Sequence, residues 1–370
     1  MSNQRSFEVD VIRMVALIGI GIVNVPFMAI PVTEMFSTPQ SSWDQLATLF
    51  VEAFFLLKFF LLFSFIFGWG MAIQMQQAAT KGFSFTQRYR RRMVGLLLLG
   101  LLHATLVFSG DILVLYALFG SLLWCLKEAD SKKLLKIAMW MLPLSVVCLS
   151  AMVIILAVAL EGEIPAPAYS LGGNYAETVL SRLDDWPVTF VALIFVQGPL
   201  VFAAFSSGYA AGKSHFFQPG HKAFTQLEHA MPWLLVLGLP LNILFALVVR
   251  GYLQTDWLQF LGFIGIGLGA PMLSAVYLYL LVRLARRLTH IPNILLLAGR
   301  NSLSSYMLQG VLAGFVFAGY GLGWFGQFGQ FALLGIAIII ALAAMLLVGL
   351  YAQFFGRGPM EVVLRKISGV

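Results

Sequence analysis

The sequence predicts an all-α, polytopic membrane bundle of about ten transmembrane helices with both termini in the cytoplasm. Three observations lead there. Apolar residues make up 60% of the 370 positions and charged residues 11%, with a mean hydropathy of +0.90, a balance that soluble domains of this size do not keep. Apolar stretches long enough to cross a roughly 30 Å hydrocarbon core, about 20 residues each at ~1.5 Å per residue, recur along the whole chain. Basic residues gather in alternate connections between those stretches.

The first stretch, 11–31, begins behind Asp10 and Arg13 and lacks a small-x-small cleavage site, so it reads as a retained helix and not as a removed signal peptide. The second, 51–76, carries Lys58. A short pair follows, 93–109 and 110–126, divided by Ser109-Gly110-Asp111, a break that turns the chain back. After the fifth stretch, 135–160, comes the outer segment "EGEIPAPAYSLGGNYAETVLSRLDDWP" (161–187), too punctuated by Pro and Gly for an independent domain but able to cap an outward-facing cavity. Five more stretches complete the chain: 187–212, 231–250, 258–282, 293–319 and 331–355. The division is therefore a four-helix region (1–128), a fifth helix with its outer loop (129–186) and a five-helix region (187–370). No internal repeat is visible.

With the N-terminus inside, the inner connections hold Arg5, Lys81, Arg88, Arg90 to Arg92, Lys127, Lys132, Lys133, Lys136, Lys213, Lys222, Arg283, Arg286, Arg287, Arg357, Arg365 and Lys366, while the outer ones keep Arg182 and Arg250 among mainly acidic residues. The net charge of +7 is thus a topology signal, and nucleic acid is not an expected partner, since that needs a basic face on a soluble module. The two cysteines, Cys125 and Cys148, lie in or beside apolar helices without ligand-like spacing, so neither a disulfide framework nor a metal is expected. Four of the five histidines, His215, His221, His229 and His290, fall in or beside inner loops. The Gly-rich "GFIGIGLGAP" (262–271) reads as close helix packing.

Polar groups inside the apolar helices are costly and so informative. Asp10 and Arg13 are three apart on one face at the inner start of the first helix; they pair there, or Asp10 caps while Arg13 snorkels. Asn24 lies about 16 Å further along, Lys58 about 12 Å in from the outside, and His103 about 15 Å from the inner boundary. Lys58 either snorkels, pairs with Glu52, or serves a site. Asp111 caps the fourth helix, orients His103, or does both. His103 is an interhelical hydrogen-bonding group or a base.

"SFEVDVIRMVALIGIGIVN" (6–24), "KFFLLFSFIFGWGMAIQ" (58–74), "RRRMVGLLLLGLLHATLVFSGDILVLYALFG" (90–120), "AGRNSLSSYMLQ" (298–309) and "GRGPMEVVLR" (356–365) resemble, in order and over nearly the whole chain, the signatures of the YeiB-like family of bacterial inner-membrane proteins. The C-terminal half resembles a domain of unknown function. The N-terminal half is similar to a wider superfamily of transmembrane acyltransferases, which move an acyl group from cytoplasmic acyl-CoA to an acceptor across the membrane. That superfamily's leading D-x-x-R-G stands here as Asp10-Val11-Ile12-Arg13-Met14, with methionine for glycine, and the histidine spaced from the Arg in the O-acetylase branch is replaced by Asn24. Either His103 supplies the base from another helix, or the chain is not an acyltransferase.

The resemblance implies acyl-CoA, acetyl-CoA or longer, as donor, with no metal, and a small-molecule, glycan or lipid acceptor. Acyl transfer needs a base near neutrality, for which His103 is the candidate and Asp111 its orienting carboxylate. Asn24 and Lys58 are candidate oxyanion donors by depth. Asp10, Arg13, Arg300, Asn301 and Ser302 are the candidate coenzyme-binding group at the inner face; "GRNS" otherwise reads as a polar helix start. A transporter or channel, or a non-catalytic protein that binds lipid or a partner, would use the same buried groups differently. The bilayer is the one partner implied directly, and a homo-oligomer stays open.

Overall fold

The computed structural model describes residues 6–35, 37–159, 170–288 and 290–369. Arg5 and residues 161–169 of the outer segment lie outside them. Among the described residues every regular element is an α-helix, in the order α1 (Phe7–Asn24), α2 (Pro26–Ala29), α3 (Val32–Met35), α4 (Ser42–Phe54), α5 (Lys58–Lys81), α6 (Phe85–Leu106), α7 (Leu113–Trp124), α8 (Ser131–Ala159), α9 (Tyr175–Lys213), α10 (Lys222–Val249), α11 (Asp256–Arg287), α12 (Asn293–Arg300), α13 (Ser302–Phe317), α14 (Gln330–Phe355) and α15 (Pro359–Ser368).

Seven spans among the described residues are long and apolar enough to cross a membrane: Phe7–Ala29, Ser42–Lys81, Ser131–Ile155, Tyr175–Lys213, Lys222–Val249, Trp257–Arg287 and Gln330–Phe355. The protein is a multi-pass membrane protein. The other three predicted stretches are helical but fall short for separate reasons. In α6 the apolar run begins only after Arg90 to Arg92 and stops with the helix at Leu106. The α7 helix is only 12 residues long, and the 293–319 stretch is broken at Asn301 into α12 and α13.

Two departures from the predicted pattern place the site. The outer loop ends early, because Asn174 and Glu177 form a reciprocal capping box that satisfies free N–H groups at a helix start. Helix α9 therefore starts at Tyr175 and runs for 39 residues through Pro187, roughly 58 Å at 1.5 Å per residue. The 186/187 division falls inside it. The second span, by contrast, is broken: Leu57 sits at φ 68°, a left-handed conformation that costs a side-chain-bearing residue roughly 1–2 kcal/mol.

Backbone closeness holds the bundle at its centre. Helices α5 and α9 pack together across a mutual pair of glycines, where a Cβ on Gly68 would stand 2.0 Å from the Phe205 carbonyl oxygen and one on Gly208 1.9 Å from that of Phe65. Small residues let helices approach where lipid supplies no hydrophobic drive between them. Helix α1 is surrounded by α5, α11, α12, α13 and α14, which accounts for the near-complete burial of Ile12, Ala16 and Leu17.

Candidate functional site

Helix α6 delivers His103 in its last turn, where the His103 carbonyl accepts from the N–H groups of Val107 and Phe108 and ends the helix. The Ser-Gly-Asp turn then brings the chain back over that end. Asp111 acts in both ways its position allows. Its Oδ1 accepts from the Leu113 N–H at 2.7 Å, capping α7, and its Oδ2 stands 2.7 Å from His103 Nδ1. From α13, the Tyr306 hydroxyl donates to the same Oδ2 at 3.1 Å and accepts from the Ile112 N–H at 3.4 Å. His103 is 2% exposed and Asp111 1%.

A carboxylate against Nδ1 fixes the imidazole with its proton on that nitrogen and its lone pair on Nε2. His103 Nε2 is buried with no hydrogen-bond partner. It faces Gly310 of α13, where an added Cβ would stand 2.8 Å from it. Buried polar atoms are almost always partnered, and Nε2 is one of several here that are not; the absence of a side chain at Gly310 is what lets α13 come this close to it. Chemically, the arrangement can accept a proton on Nε2 and stabilise the resulting imidazolium through Asp111.

Neither Asn24 nor Lys58 makes a hydrogen bond to this pair. Asn24 closes α1 half-buried. Lys58 is fully buried and its ammonium donates to the Glu52 carbonyl at 2.9 Å. At the break between α4 and α5 the Phe55 and Leu56 N–H groups both go to Val51, and Lys58 takes up the Glu52 oxygen left over, as buried backbone requires. Glu52 in turn pairs with Arg250, whose Nε and Nη2 lie 2.7 Å and 2.6 Å from its Oε1. Arg250 also donates to the carbonyls of Met35 and Ser37.

At the inner end, Asp10 joins both predicted arginines. Arg300 Nε lies 2.7 Å from its Oδ2 and Arg13 Nη1 3.8 Å from its Oδ1; both guanidinium groups keep partial exposure. Asn301 is engaged with backbone, accepting from the Gly358 N–H at 2.8 Å and donating to the Leu297 carbonyl at 2.9 Å. Ser302 is half-buried at the start of α13. The free N–H groups of that helix start, Leu303 and Ser304, go to Glu361 Oε1 of α15 at 2.8 Å and 3.2 Å, and the Ser304 hydroxyl goes to Oε2. A protein carboxylate thus fills the place a phosphate takes at such helix ends. Burial raises the Glu361 carboxyl above its ordinary pKa, against these hydrogen bonds, which favour the anion. Among the described residues no group of metal-ligating side chains is present.

Sequence reasoning missed Tyr306 and Arg182. The signal for Tyr306 was the polar face of "SSYMLQG", since Ser305 and Gln309 are buried on the same helix. The signal for Arg182 was "NYAE", a capping box that moves the start of α9 ahead of it.

Residues 211–370 match the family described as "Protein of unknown function (DUF418)". Across its length the chain is 28% identical to "Uncharacterized protein YxaH" of Bacillus subtilis (strain 168), with 100% of this chain and 95% of the relative covered. It is 26% identical to "Uncharacterized protein YeiB" of Escherichia coli (strain K12), covering 99% and 96%. A third relative, "Uncharacterized 39.9 kDa protein in amylase 3'region" of Bacillus acidopullulyticus, is 24% identical over 99% of this chain and 94% of its own. No solved structure matches. The chain is thus similar from end to end to YeiB and YxaH, and its C-terminal part matches the family of unknown function.

Proposed function

We propose that this protein is an inner-membrane acyltransferase that moves an acyl group from a cytoplasmic acyl-CoA to a hydroxyl or amine on a small-molecule, glycan or lipid acceptor. The observation that carries this reading is the unpartnered Nε2 of a buried histidine whose other nitrogen is held by Asp111. In the step it supports, the acceptor oxygen attacks the thioester carbonyl while its proton passes to His103 Nε2. The carbon–sulfur bond then breaks and the CoA sulfur leaves with that proton, so the imidazole is restored. The superfamily resemblance of the N-terminal half supports the choice of donor. A cleft of about 210 Å³ between α6 and α7 could hold an acyl chain: it is lined by Met93, Val94, Leu97 and Leu118 with Arg90 beside them, and His103 lies six residues beyond Leu97, roughly 9 Å along α6.

Arg13 and Arg300 are assigned to the coenzyme phosphates. A saturating acyl-CoA, at about 100 times its Kd, should then raise the unfolding free energy by about 2.7 kcal/mol, and Arg300→Gln should weaken binding roughly tenfold or more. Binding measured by thermal shift in detergent decides it. Unchanged affinity removes Arg300 from the site, and no stabilisation of the parent protein removes the donor.

The reading also requires ten crossings with both termini inside, so that α6, α7 and the α12–α13 pair cross as well. Cysteine labelling in intact cells should leave positions near Lys81, Lys132, Lys213 and Arg286 protected, and label those near Asp44, Asn174 and Asp256. External labelling near Arg90 to Arg92 refutes that topology. One feature favours the transporter alternative: buried charges beside the broken α4–α5 span, since interrupted helices carry ion sites in many transporters. Substrate-driven uptake into vesicles without acyl transfer is the result that selects it.

A further inference from the structure

Arg182 of α9 is 3% exposed, and among the described residues no carboxylate lies within ion-pair distance of it. Its Nη1 donates to the Leu106 carbonyl at 2.9 Å, and the Tyr320 hydroxyl is its side-chain partner. A guanidinium always carries its charge and offers five donors in a fixed fork. A buried charge without a counter-charge is costly. Arg182 also lines a cavity of about 20 Å³ with Phe27, Val107, Ser109, Leu171 and Gly314. That volume is water-sized, so a single oxygen of a larger molecule can enter while the rest stays at the mouth beside the exposed Phe27.

Val107 and the Gly310 turn of α13 separate the cavity from the histidine. Val107 lines the cavity and also abuts Gly310, lying 2.9 Å from where a Cβ there would be. Gly314, one turn beyond Gly310 on α13 and therefore about 6 Å along the helix, forms the same wall. We infer that Arg182 binds an oxyanion of the acceptor, a phosphate or carboxylate, and so presents a hydroxyl about one helical turn away to His103 Nε2. The acceptor is thereby an anion that also carries a hydroxyl, and the arginine donors not taken by the Leu106 carbonyl and Tyr320 supply the contacts such an oxyanion takes. This assignment rests on the reading of His103 as the base.

The test places a cysteine at the cavity, Ser109→Cys in a background with Cys125→Ser and Cys148→Ser, and follows its maleimide labelling in detergent. Dihexanoylphosphatidylglycerol should slow labelling, and dihexanoylglycerol, which has a hydroxyl but no phosphate, should not. Inorganic phosphate is the third probe: protection by it assigns a free anion, and protection by the lipid alone assigns a headgroup. Adding Arg182→Gln should weaken the protection roughly tenfold or more, with Arg182→Lys retaining part of it. Equal protection by the neutral lipid, no protection by either anion, or undiminished protection in a folded Arg182→Gln protein overturns the assignment. If Arg182→Gln does not fold, the comparison of charged and neutral probes on the Arg182 protein decides alone. His103→Asn should keep the protection, so the anion site and the base succeed or fail separately.

Discussion

His103→Asn should leave folding and acyl-CoA binding largely intact while lowering turnover by 10²–10⁴-fold, the loss typical of a missing acid–base group. Asparagine can still hydrogen-bond toward Asp111, but it has no basic nitrogen. Asp111→Asn should cost less, because the imidazole stays in place with its tautomer less well fixed; Tyr306→Phe, which removes one of the donors to Asp111 Oδ2, less again. Gly310→Ala is the complementary probe: the new methyl would press on Nε2 at 2.8 Å and should suppress turnover without removing any titrating group. Near-normal turnover in folded His103→Asn protein refutes the base, and joint loss of folding and coenzyme binding makes the histidine structural.

The largest stability effect is expected at the far pair. Arg250→Met should destabilise the protein by about 3–5 kcal/mol, because it leaves the buried Glu52 carboxylate without its hydrogen-bonded ion-pair partner. Its side chain is 10% exposed and that of Arg250 7%, and Glu52 Oε2 already lacks a partner. The same substitution also frees the Met35 and Ser37 carbonyls. Combining Glu52→Gln with Arg250→Met should recover part of the loss, since the carboxylate that lost its arginine is then gone while the buried Lys58 ammonium remains. Equilibrium unfolding in mixed detergent measures both. A single-variant effect under about 0.5 kcal/mol, the range of ordinary surface substitutions, contradicts the burial argument.

Much of the fold was legible because a bilayer leaves so few choices: apolar length gave the helices, and each predicted stretch falls on one or on a contiguous pair. Ends were harder. Pro187 was read as a start, yet Asn174 and Glu177 had already satisfied the free N–H groups upstream. Within the site, His103 and Asp111 were legible because both are local to one hairpin, eight residues apart. Tyr306 comes from 195 residues away, and Arg250 reaches Glu52 across 198; nothing in a single sequence encodes such pairings. Depth along a helix, the criterion that selected Asn24 and Lys58, says nothing about which way a side chain faces. Lys58 was drawn in by its own broken helix.

The clasp between Glu361 and the start of α13 bears on when the site comes into being. At 5–20 residues per second, Tyr306 follows Asp111 out of the ribosome, 195 residues later, by roughly 10–40 s. Glu361, 58 residues past Leu303, follows by roughly 3–12 s more. Through that interval the nascent hairpin of α6 and α7 holds its histidine and carboxylate without the tyrosine, and the first N–H groups of α13 wait for their acceptor. Translation thus separates the birth of the ionisable pair from the arrival of the groups that fix it. A chain stalled between the two holds an assembled hairpin and an incompetent site.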